Sequence, residues 1–317
     1  MTLDIRSSIM LTMNSLNQVE RRQVVAALVE GNSIRSTSRM TGVARNTITK
    51  MLVDLGSACM AYHDEHVREV KVRRLQCDEI WAYVGAKARN VSVEKKEIGW
   101  GDVWTWVGLD ADTKLVISYL VGGRGAGWAH DFMLDCASRI VGKPQITTDM
   151  HKPYLAAVEE AFGGDADYAV LHKIFGASDE PEKRYSPATC IGCDMKTISG
   201  VPDLKHVSTS YVERQNLTMR MSMRRFTRPT NGFSKKLENH AYAVALHFMY
   251  CNFVRVHQTL RVTPAREAGL TDHLWSIDEL VALGEIEAPK KRGPYQKREK
   301  ISNSTTTKRT NSLTGTI

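Results

Sequence analysis

Three acidic residues, far apart in the chain, lie where a carboxylate needs a partner. Asp78 is inside the apolar run Leu-Gln-Cys-Asp-Glu-Ile-Trp-Ala-Tyr-Val (75–84), Asp149 closes the run Gln-Ile-Thr-Thr-Asp (145–149), and Glu213 opens a basic segment. A carboxylate in a buried strand is costly unless it is paired with a cation. Carboxylate oxygens are also the ligands that Mg²⁺ and Mn²⁺ prefer. The three acids are therefore candidate metal ligands and candidate catalytic residues.

Each of these acids also has a structural explanation. Asp78 could form a salt bridge, and because the adjacent Glu79 points to the opposite face of the strand, a one-residue change in register would exchange the two. Asp149 could cap the helix that follows it. Glu213 fits the third helical position of a capping box opened by Ser210, although capping and metal binding can coexist.

Residues 14–56 are predicted to form three short helices, and the last two, 34–40 and 44–55, are joined by the tight turn Thr41-Gly42. This pattern is typical of a helix-turn-helix, whose second helix enters the major groove of DNA. A small helical bundle without DNA contact has the same pattern. The apolar side chains that should face inward are Val43, Ile48, Leu52 and Leu55. The candidate contacts to bases and phosphates are Arg45, Asn46, Thr47, Thr49 and Lys50.

The composition of the 317 residues is ordinary for a soluble globular protein. No apolar stretch approaches the roughly 18 residues that span a bilayer, and no signal-peptide pattern opens the chain. We expect a cytoplasmic protein with no membrane partner, associated with the nucleoid when bound to DNA. The six scattered cysteines are expected to be reduced thiols.

The net charge of +8 is unevenly distributed along the chain. The segment 289–317 carries eight basic residues against the single acid Glu299, so that it accounts for +7 of the total. Because this segment is otherwise rich in Ser, Thr and Asn, it is predicted to be a disordered basic tail. The tail could bind phosphates electrostatically or be a solvated end with no specific role.

Beyond residue 75 the pattern predicts a mixed sheet flanked by helices, and the fold class is therefore α/β. Asp110 and Asp112 lie in the predicted hairpin turn, where Asp is common, and are not assigned a catalytic role. The predicted elements are strands at 76–84, 102–109 and 115–121, a helix at 129–141, a strand at 145–148, a helix at 154–162, a strand at 168–171, and helices at 211–225 and 235–256.

Several segments of the sequence together resemble a known family. They are Asp-Glu-Ile-Trp-Ala-Tyr-Val-Gly-Ala-Lys (78–87), Trp-Thr-Trp-Val-Gly-Leu-Asp (104–110), Glu-Arg-Gln-Asn (213–216), Phe-Val-Arg-Val-His-Gln-Thr-Leu (253–260) and Thr-Pro-Ala (263–265). Over roughly residues 75–270 the chain resembles DDE transposases of the IS1-type group of bacterial insertion sequences. The first segment is quite specific, whereas the later ones resemble several transposase and integrase groups.

The resemblance implies a ribonuclease-H-like fold and an enzyme that cuts and joins DNA. It implies two Mg²⁺ (or Mn²⁺) ions, about 3.5–4 Å apart, which clamp the attacking and leaving oxygens of a phosphodiester. Asp78 would bridge the two ions, and Asp149 and Glu213 would each bind one. The implied partners are double-stranded DNA, at the terminal inverted repeats of the element and at the target, and a second protomer in a homodimer.

Other polar residues have weaker patterns. His257 could orient a phosphate or merely pack in the core. Cys190 and Cys193 could form half of a zinc site, but ordinary loop cysteines are favoured because no second pair follows. Met219, Met223 and Phe226 form a stripe expected in the core. The basic residues of the helix that begins near Tyr211 could contact backbone phosphates or form a solvated face; they are Arg214, Arg220, Arg224, Arg225 and Arg228.

These predictions divide the chain into five parts and leave rival functions open. The rivals are a DNA-binding regulator without enzymatic activity and a domesticated transposase that binds DNA without cutting it. The parts are a helix-turn-helix domain (1–56), a helical linker (57–74), a ribonuclease-H-like catalytic domain (75–270) with an inserted loop (176–209), a short helical extension (271–288) and the basic tail (289–317).

Overall fold

A mixed sheet of six strands forms the centre of the protein. The computed structural model describes residues 16–176, 189–227 and 231–284, and these all belong to one unit, Met1–Glu285. The strands, in chain order, are β2 (Arg74–Val84), β3 (Gly101–Asp110), β4 (Val116–Gly122), β6 (Gln145–Thr148), β7 (Asp167–Gly176) and β8 (Thr189–Ser199). A separate two-stranded parallel sheet joins β1 (Val70–Lys71) and β5 (Ile140–Val141).

The strand order is β4-β3-β2-β6-β7-β8. The first three strands form the predicted antiparallel meander. The strand β6 then runs parallel to both β2 and β7, whereas β8 runs antiparallel to β7. The strand β2 therefore lies inside the sheet, and most of its apolar residues are buried, in agreement with the near-continuous apolar run 75–84.

The turn between β3 and β4 is held by the aspartates that the sequence assigned to turn chemistry. The Asp110 carboxylate accepts hydrogen bonds from the Asp112 backbone N–H at 3.0 Å and from the Thr113 hydroxyl at 2.6 Å. The Asp112 carboxylate forms an ion pair with Arg74. Both acids therefore stabilise the hairpin.

Helices cover the sheet, and the largest fully buried side chains include Trp106, Phe132, Tyr154, Tyr168 and Phe248. No helix in the described part of the chain combines the length and apolar character required to cross a membrane. The helices are α1 (Gln18–Val29), α2 (Ile34–Thr41), α3 (Arg45–His66), α4 (Val93–Glu97), α5 (Ala126–Arg139), α6 (Pro153–Phe162), α7 (Ser210–Ser222), α8 (Leu237–Met249), α9 (Pro264–Glu267) and α10 (Ile277–Ala282).

The three N-terminal helices follow the predicted pattern closely. The capping box of Asn17 and Glu20 opens α1, with both reciprocal hydrogen bonds at 2.9 Å. The helix α2 ends at Gly42, whose φ of 75° lies in the left-handed region that glycine adopts without strain. The four apolar residues predicted to face inward, from Val43 to Leu55, are all buried.

The helix α3 is longer than predicted. It continues to His66 without a break, so that the expected boundary between residues 56 and 57 falls inside it. Gly56 is the reason that α3 can lie against α8, because a Cβ atom at this position would come within 2.5 Å of the Tyr242 Cβ. Tertiary packing of the second half of α3 therefore extends the helix past the point at which the sequence pattern weakens.

The segment 176–209 was predicted to be a weakly structured inserted loop, and this prediction is wrong for part of its length. Residues 189–199 form β8, which pairs with β7, and Leu204–His206 forms a 3-10 turn. The strand escaped sequence analysis because most of its residues are polar or small, and its apolar residues do not alternate with them. It forms because β7 would otherwise leave its backbone groups without partners. Residues 177–188 lie outside the described part of the chain.

The C-terminal helices begin and end within a few residues of the predictions. The helix α7 ends at Ser222 rather than residue 225, and α8 passes at Met249 into a π-helical turn, Tyr250–Val254. The predicted basic tail, 289–317, lies outside the described residues, as do residues 1–15 of the first predicted domain, residues 285–288 of the predicted extension and Arg228.

Candidate metal centre

Asp78, Glu79 and Asp149 come together where the internal strand β2 passes the carboxyl end of β6. One carboxylate oxygen of each lies within 4.8 Å of the others. The parallel pairing of β2 with β6 explains the meeting of the two aspartates. Leu75 pairs with Ile146, and three residues further on come Asp78, within β2, and Asp149, directly after β6. Neighbouring parallel strands thus deliver two carboxylates to the same level of the sheet.

Glu79 is the most deeply buried acid of this carboxylate cluster, with a side chain that is 1% exposed. Its Oε1 accepts a hydrogen bond from the Arg124 Nε at 2.8 Å and forms an ion pair with the Arg124 Nη2 at 2.6 Å. The Tyr154 hydroxyl donates to Oε2 at 3.3 Å. Burial and then the Asp149 charge raise the pKa of Glu79, and Arg124 opposes them. Glu79 is therefore a buried anion whose partners are already present.

Asp78 has fewer partners. Its Oδ2 accepts a hydrogen bond from the Asn216 side-chain amide at 2.8 Å. Burial, together with repulsion from Glu79 and Asp149, raises the pKa of Asp78 to about 7. Asp149 also has few partners: its carboxylate accepts one backbone hydrogen bond, from the His151 N–H at 2.9 Å. The cluster thus holds more negative charge than its donors neutralise, and a cation would remove the imbalance.

The donor set fits a small divalent cation. Three carboxylates offer hard oxygen atoms, which suit Mg²⁺ or Mn²⁺ better than they suit softer metals. Beside them, the Asn216 Oδ1 is buried and has no hydrogen-bond partner in the described structure. Because the amide NH₂ is fixed by Asp78, this oxygen is a further hard acceptor. The cluster can therefore bind a metal ion.

Glu213 lies outside the carboxylate cluster. Its carboxylate forms an ion pair with Lys173 of β7 and accepts a hydrogen bond from the Thr209 hydroxyl at 2.6 Å. The pair is only half-buried. Asn216 is three residues further along α7, on the same helix face, and it is the residue of α7 that contacts Asp78. The structure thus brings Asp78 and Asp149 together, joins Glu79 to them, and holds Glu213 with Lys173.

The capping alternatives for Glu213 and Asp149 do not describe the structure. The helix α7 begins at Ser210 after the N-cap residue Thr209, which makes no side-chain capping bond, so that the capping box opened by Ser210 is absent. The N-cap of α6 is Lys152. Asp149 precedes it and bonds to the His151 N–H instead.

Sequence analysis missed the parts played by Asn216 and Lys173, and it gave Glu79 only as a register alternative. The signal for Asn216 was its spacing from Glu213, since residues three apart share a helix face. Lys173 had no such signal. It meets Glu213 because β7 and the start of α7 converge in three dimensions, which no local pattern encodes.

Residues predicted to contact DNA differ in exposure. Arg45, Asn46, Thr47 and Lys50 are exposed at the start of α3, and Lys50 forms an ion pair with Asp54. Thr49 is half-buried, and its hydroxyl donates to the Arg45 backbone carbonyl at 2.9 Å.

Further arginines were predicted along the helix now described as α7. Arg214, Arg220 and Arg224 are exposed. The Arg225 guanidinium instead donates to the Ser234 hydroxyl at 2.7 Å, and burial lowers the pKa of Arg225 to about 10. Arg225 is therefore half-buried and held by Ser234 of the same chain. The stripe of Met219, Met223 and Phe226 is buried, as predicted.

His257 and the cysteine pair lie apart from the carboxylate cluster. Burial lowers the pKa of His257, and the nearby Lys114 and Arg255 lower it further. The His257 Nδ1 is buried without a hydrogen-bond partner in the described structure. The Cys190 and Cys193 sulfurs are 4.0 Å apart and exposed. Within the described residues no third protein ligand joins them to complete a zinc site.

No protein-family model matches the chain, and no curated protein matches it either. The function must therefore be argued from the geometry of the carboxylate cluster and from the surfaces around it.

Proposed function

We propose that this chain is a DDE transposase, which cuts the ends of a mobile element and joins them to target DNA with the help of divalent metal ions. The observation that carries the proposal is the convergence of Asp78 and Asp149 from neighbouring parallel strands, with a third carboxylate, to within 4.8 Å. A structural role alone does not explain why charges that repel each other are gathered in a partly buried site.

The sheet topology supports a ribonuclease-H-like fold. An antiparallel meander comes first, and its first strand, β2, lies between β3 and the parallel strand β6. The acids are on β2 and directly after β6, where the resemblance noted in the sequence expects them. The helix α7 packs against β2 and brings its polar face to Asp78.

Within this proposal the protein groups have distinct roles. Asp78 and Asp149 would hold the metal ions, Mg²⁺ or Mn²⁺, because their oxygens have few other partners. When bound, such ions stabilise the negative charge that develops on the oxygens of a phosphodiester during its cleavage. Asn216 orients Asp78 by donating a hydrogen bond to it. Positioning of this kind keeps a ligand in one geometry before the substrate arrives.

The third ligand must be either Glu79 or Glu213, and the cost of freeing each acid favours Glu213. Glu79 would have to give up its contact with Arg124 and leave a carboxylate that is 1% exposed without that partner, which costs about 1–3 kcal/mol. Glu213 would give up a half-exposed pair with Lys173, which contributes about 0–1 kcal/mol. A cation could therefore displace Lys173 from Glu213 more readily than it could displace Arg124 from Glu79.

Duplex DNA is the proposed substrate, and α3 is the proposed recognition helix. Its first turns expose Arg45, Asn46 and Thr47, which are residue types that bond to base edges and phosphates. The exposed arginines of α7, Arg214 and Arg220, add positive charge on the same helix as Glu213. In this proposal α3 recognises the DNA sequence, and α7, which contacts Asp78 through Asn216, binds the DNA backbone near the carboxylate cluster.

The test uses a plasmid that carries the coding region with its native flanking DNA. We expect the purified protein to nick or cut this plasmid with Mg²⁺ or Mn²⁺, but not with EDTA. Asp78→Asn should abolish cleavage while its DNA affinity, measured at fixed salt, stays unchanged. Asp165→Asn, at an exposed aspartate in the turn before β7, is the matched control and should cleave normally. Cleavage by Asp78→Asn would overturn the proposal, and binding without any cleavage would favour the non-enzymatic DNA-binding regulator.

A second comparison identifies the third ligand. Glu213→Gln should abolish cleavage without lowering the free energy of unfolding by more than about 1 kcal/mol, because its ion pair is half-exposed. Glu159→Gln, at an exposed residue of α6, controls for the loss of one negative charge. If Glu213→Gln still cleaves, while Glu79→Gln folds and does not, Glu79 is the third ligand instead.

A further inference from the structure

The strand β8 leaves one long edge of the six-stranded sheet without a partner in the described part of the chain. Such an edge presents a row of unpaired backbone N–H and C=O groups, which other strands can extend. Its side chains are exposed, and they include Ile191 at 68% and Met195 at 44% exposure. An exposed edge with apolar side chains is a surface that a further strand can cover.

Two bulges limit the part of β8 that is regular. Along the pairing with β7, Ile191 and Ile198 are extra residues with no opposite partner. Between them the six residues from Gly192 to Thr197 pair without interruption. Bulges twist a strand locally and stop a ladder from extending. A strand that adds to this edge therefore meets one short regular segment.

The charges of this segment indicate which strand fits. Asp194 and Lys196 are both exposed, and neither forms an ion pair within the described residues. Since the two charges cancel, the segment has no preference for a polyanion such as DNA. In an antiparallel pair of identical strands centred on Met195, however, Asp194 of each copy would lie opposite Lys196 of the other.

This arrangement is the only two-fold pairing of the segment that places opposite charges face to face. A centre at Asp194 or at Lys196 would place like charges opposite each other, which is destabilising. A centre at Cys193 would leave Lys196 without an opposite acid. A two-fold axis requires a residue to face its own copy, because the two halves of the ladder must have the same hydrogen-bond pattern.

We infer that β8 forms an isologous interface with β8 of a second copy of this chain, centred on Met195, which makes a continuous sheet of two molecules. The interface needs neither DNA nor metal, so it stands independently of the proposed enzymatic function. It also lies next to Lys173, which pairs across the ladder with Cys193 and holds Glu213. The strand β7, whose Lys173 forms the ion pair with Glu213, would therefore be two strands away from the dimer axis.

The first experiment measures the dimer dissociation constant of the full chain by sedimentation equilibrium, without DNA and in EDTA. Asp194→Lys and Lys196→Asp each replace two attractive cross-strand pairs with two repulsive ones, and each should raise the constant about tenfold or more. The double variant Asp194→Lys/Lys196→Asp restores the opposite charges and should dimerise as the wild type does. An equimolar mixture of the two single variants should form heterodimers, since every cross-strand pair is then attractive.

The second experiment tests the register by crosslinking. In a Cys190→Ser/Cys193→Ser background, Met195→Cys should form an intermolecular disulfide on mild oxidation, because residues directly opposite have Cα atoms about 4.5–5.5 Å apart. Thr197→Cys is the control, because its own copy would lie four residues away, at about 13 Å. The inference is overturned if the wild type is monomeric at every soluble concentration, if the charge variants leave the dimer unchanged, or if Thr197→Cys crosslinks as fast as Met195→Cys.

Discussion

Replacing Asp78 by Asn should stabilise the protein in the absence of metal ions, and the gain should grow with pH. Burial and two neighbouring carboxylates raise the pKa of Asp78 from 3.8 to about 7. The folded state therefore binds more protons than the unfolded state between these values, and the stability of the wild type falls as the pH rises through them. Asparagine mimics the protonated side chain, and it can still accept the hydrogen bond from Asn216.

The size of the effect follows from the two pKa values. Each pH unit between them corresponds to about 1.4 kcal/mol, which gives at most about 4 kcal/mol above pH 7. Because water screens part of the repulsion, we expect the free energy of unfolding of Asp78→Asn to exceed that of the wild type by about 2–4 kcal/mol at pH 8. The two proteins should be nearly equal below pH 4. For a chain of this size the difference at pH 8 corresponds to a Tm increase on the order of 10 °C.

Urea unfolding in EDTA at a series of pH values between about 4 and 8.5 measures this difference directly. Asp165→Asn keeps Asp78, so its free energy of unfolding should fall with pH in parallel with that of the wild type. Added Mg²⁺ should stabilise the wild type, by about 2.7 kcal/mol at a hundredfold excess over its Kd, but not Asp78→Asn. A variant that is less stable than the wild type at pH 8, or a difference that does not vary with pH, would refute the account of Asp78 as an acid held among like charges.

Three further predictions concern the scaffold around the site and the DNA surface. Gly56→Ala should lower the free energy of unfolding in the urea assay by about 1–3 kcal/mol, because its Cβ would meet the Tyr242 Cβ at 2.5 Å. The control Gly127→Ala, in open space on α5, should be neutral or stabilising by about 0.5–1 kcal/mol. Arg124→Ala should destabilise by about 1–3 kcal/mol, because it leaves a buried carboxylate without its partner, and equal stability of variant and wild type would argue against that ion pair. Arg45→Ala should weaken binding to the flanking DNA, and unchanged affinity in a salt titration would remove the start of α3 from the DNA surface.

The parts of the fold that the sequence predicted well are those in which local pattern and tertiary environment agree. The capping box of Asn17 and Glu20 uses contacts three residues apart, and the meander has apolar runs separated by turn residues. The strand β8 has neither kind of signal. Its pairing is determined by the free edge of β7, and its exposed residues carry no alternation that a sheet buried on one face would impose.

The candidate site was predictable as far as the acids on strands were concerned. Asp78 is conspicuous because it lies within an apolar run, and Asp149 closes a short predicted strand. The position of Glu79 in the same cluster was not predictable from alternation alone, since adjacent residues point to opposite faces of a strand. It depends on Arg124 and Tyr154, which reach Glu79 from elements distant in the sequence. The pairing of Lys173 with Glu213 is likewise a product of the folded chain.

Because α3 is one unbroken helix, it would hold its DNA-binding end at a fixed distance from the rest of the proposed enzyme. Its 22 residues extend for about 33 Å from the exposed Arg45 to His66, and Gly56 near the middle packs on α8. A single rigid helix has no hinge with which to change that reach. The base pairs touched at its tip and the phosphodiester held at the carboxylates would therefore be separated by a constant length of duplex. The cut would fall at a set offset from the bound sequence, whatever bases lie between.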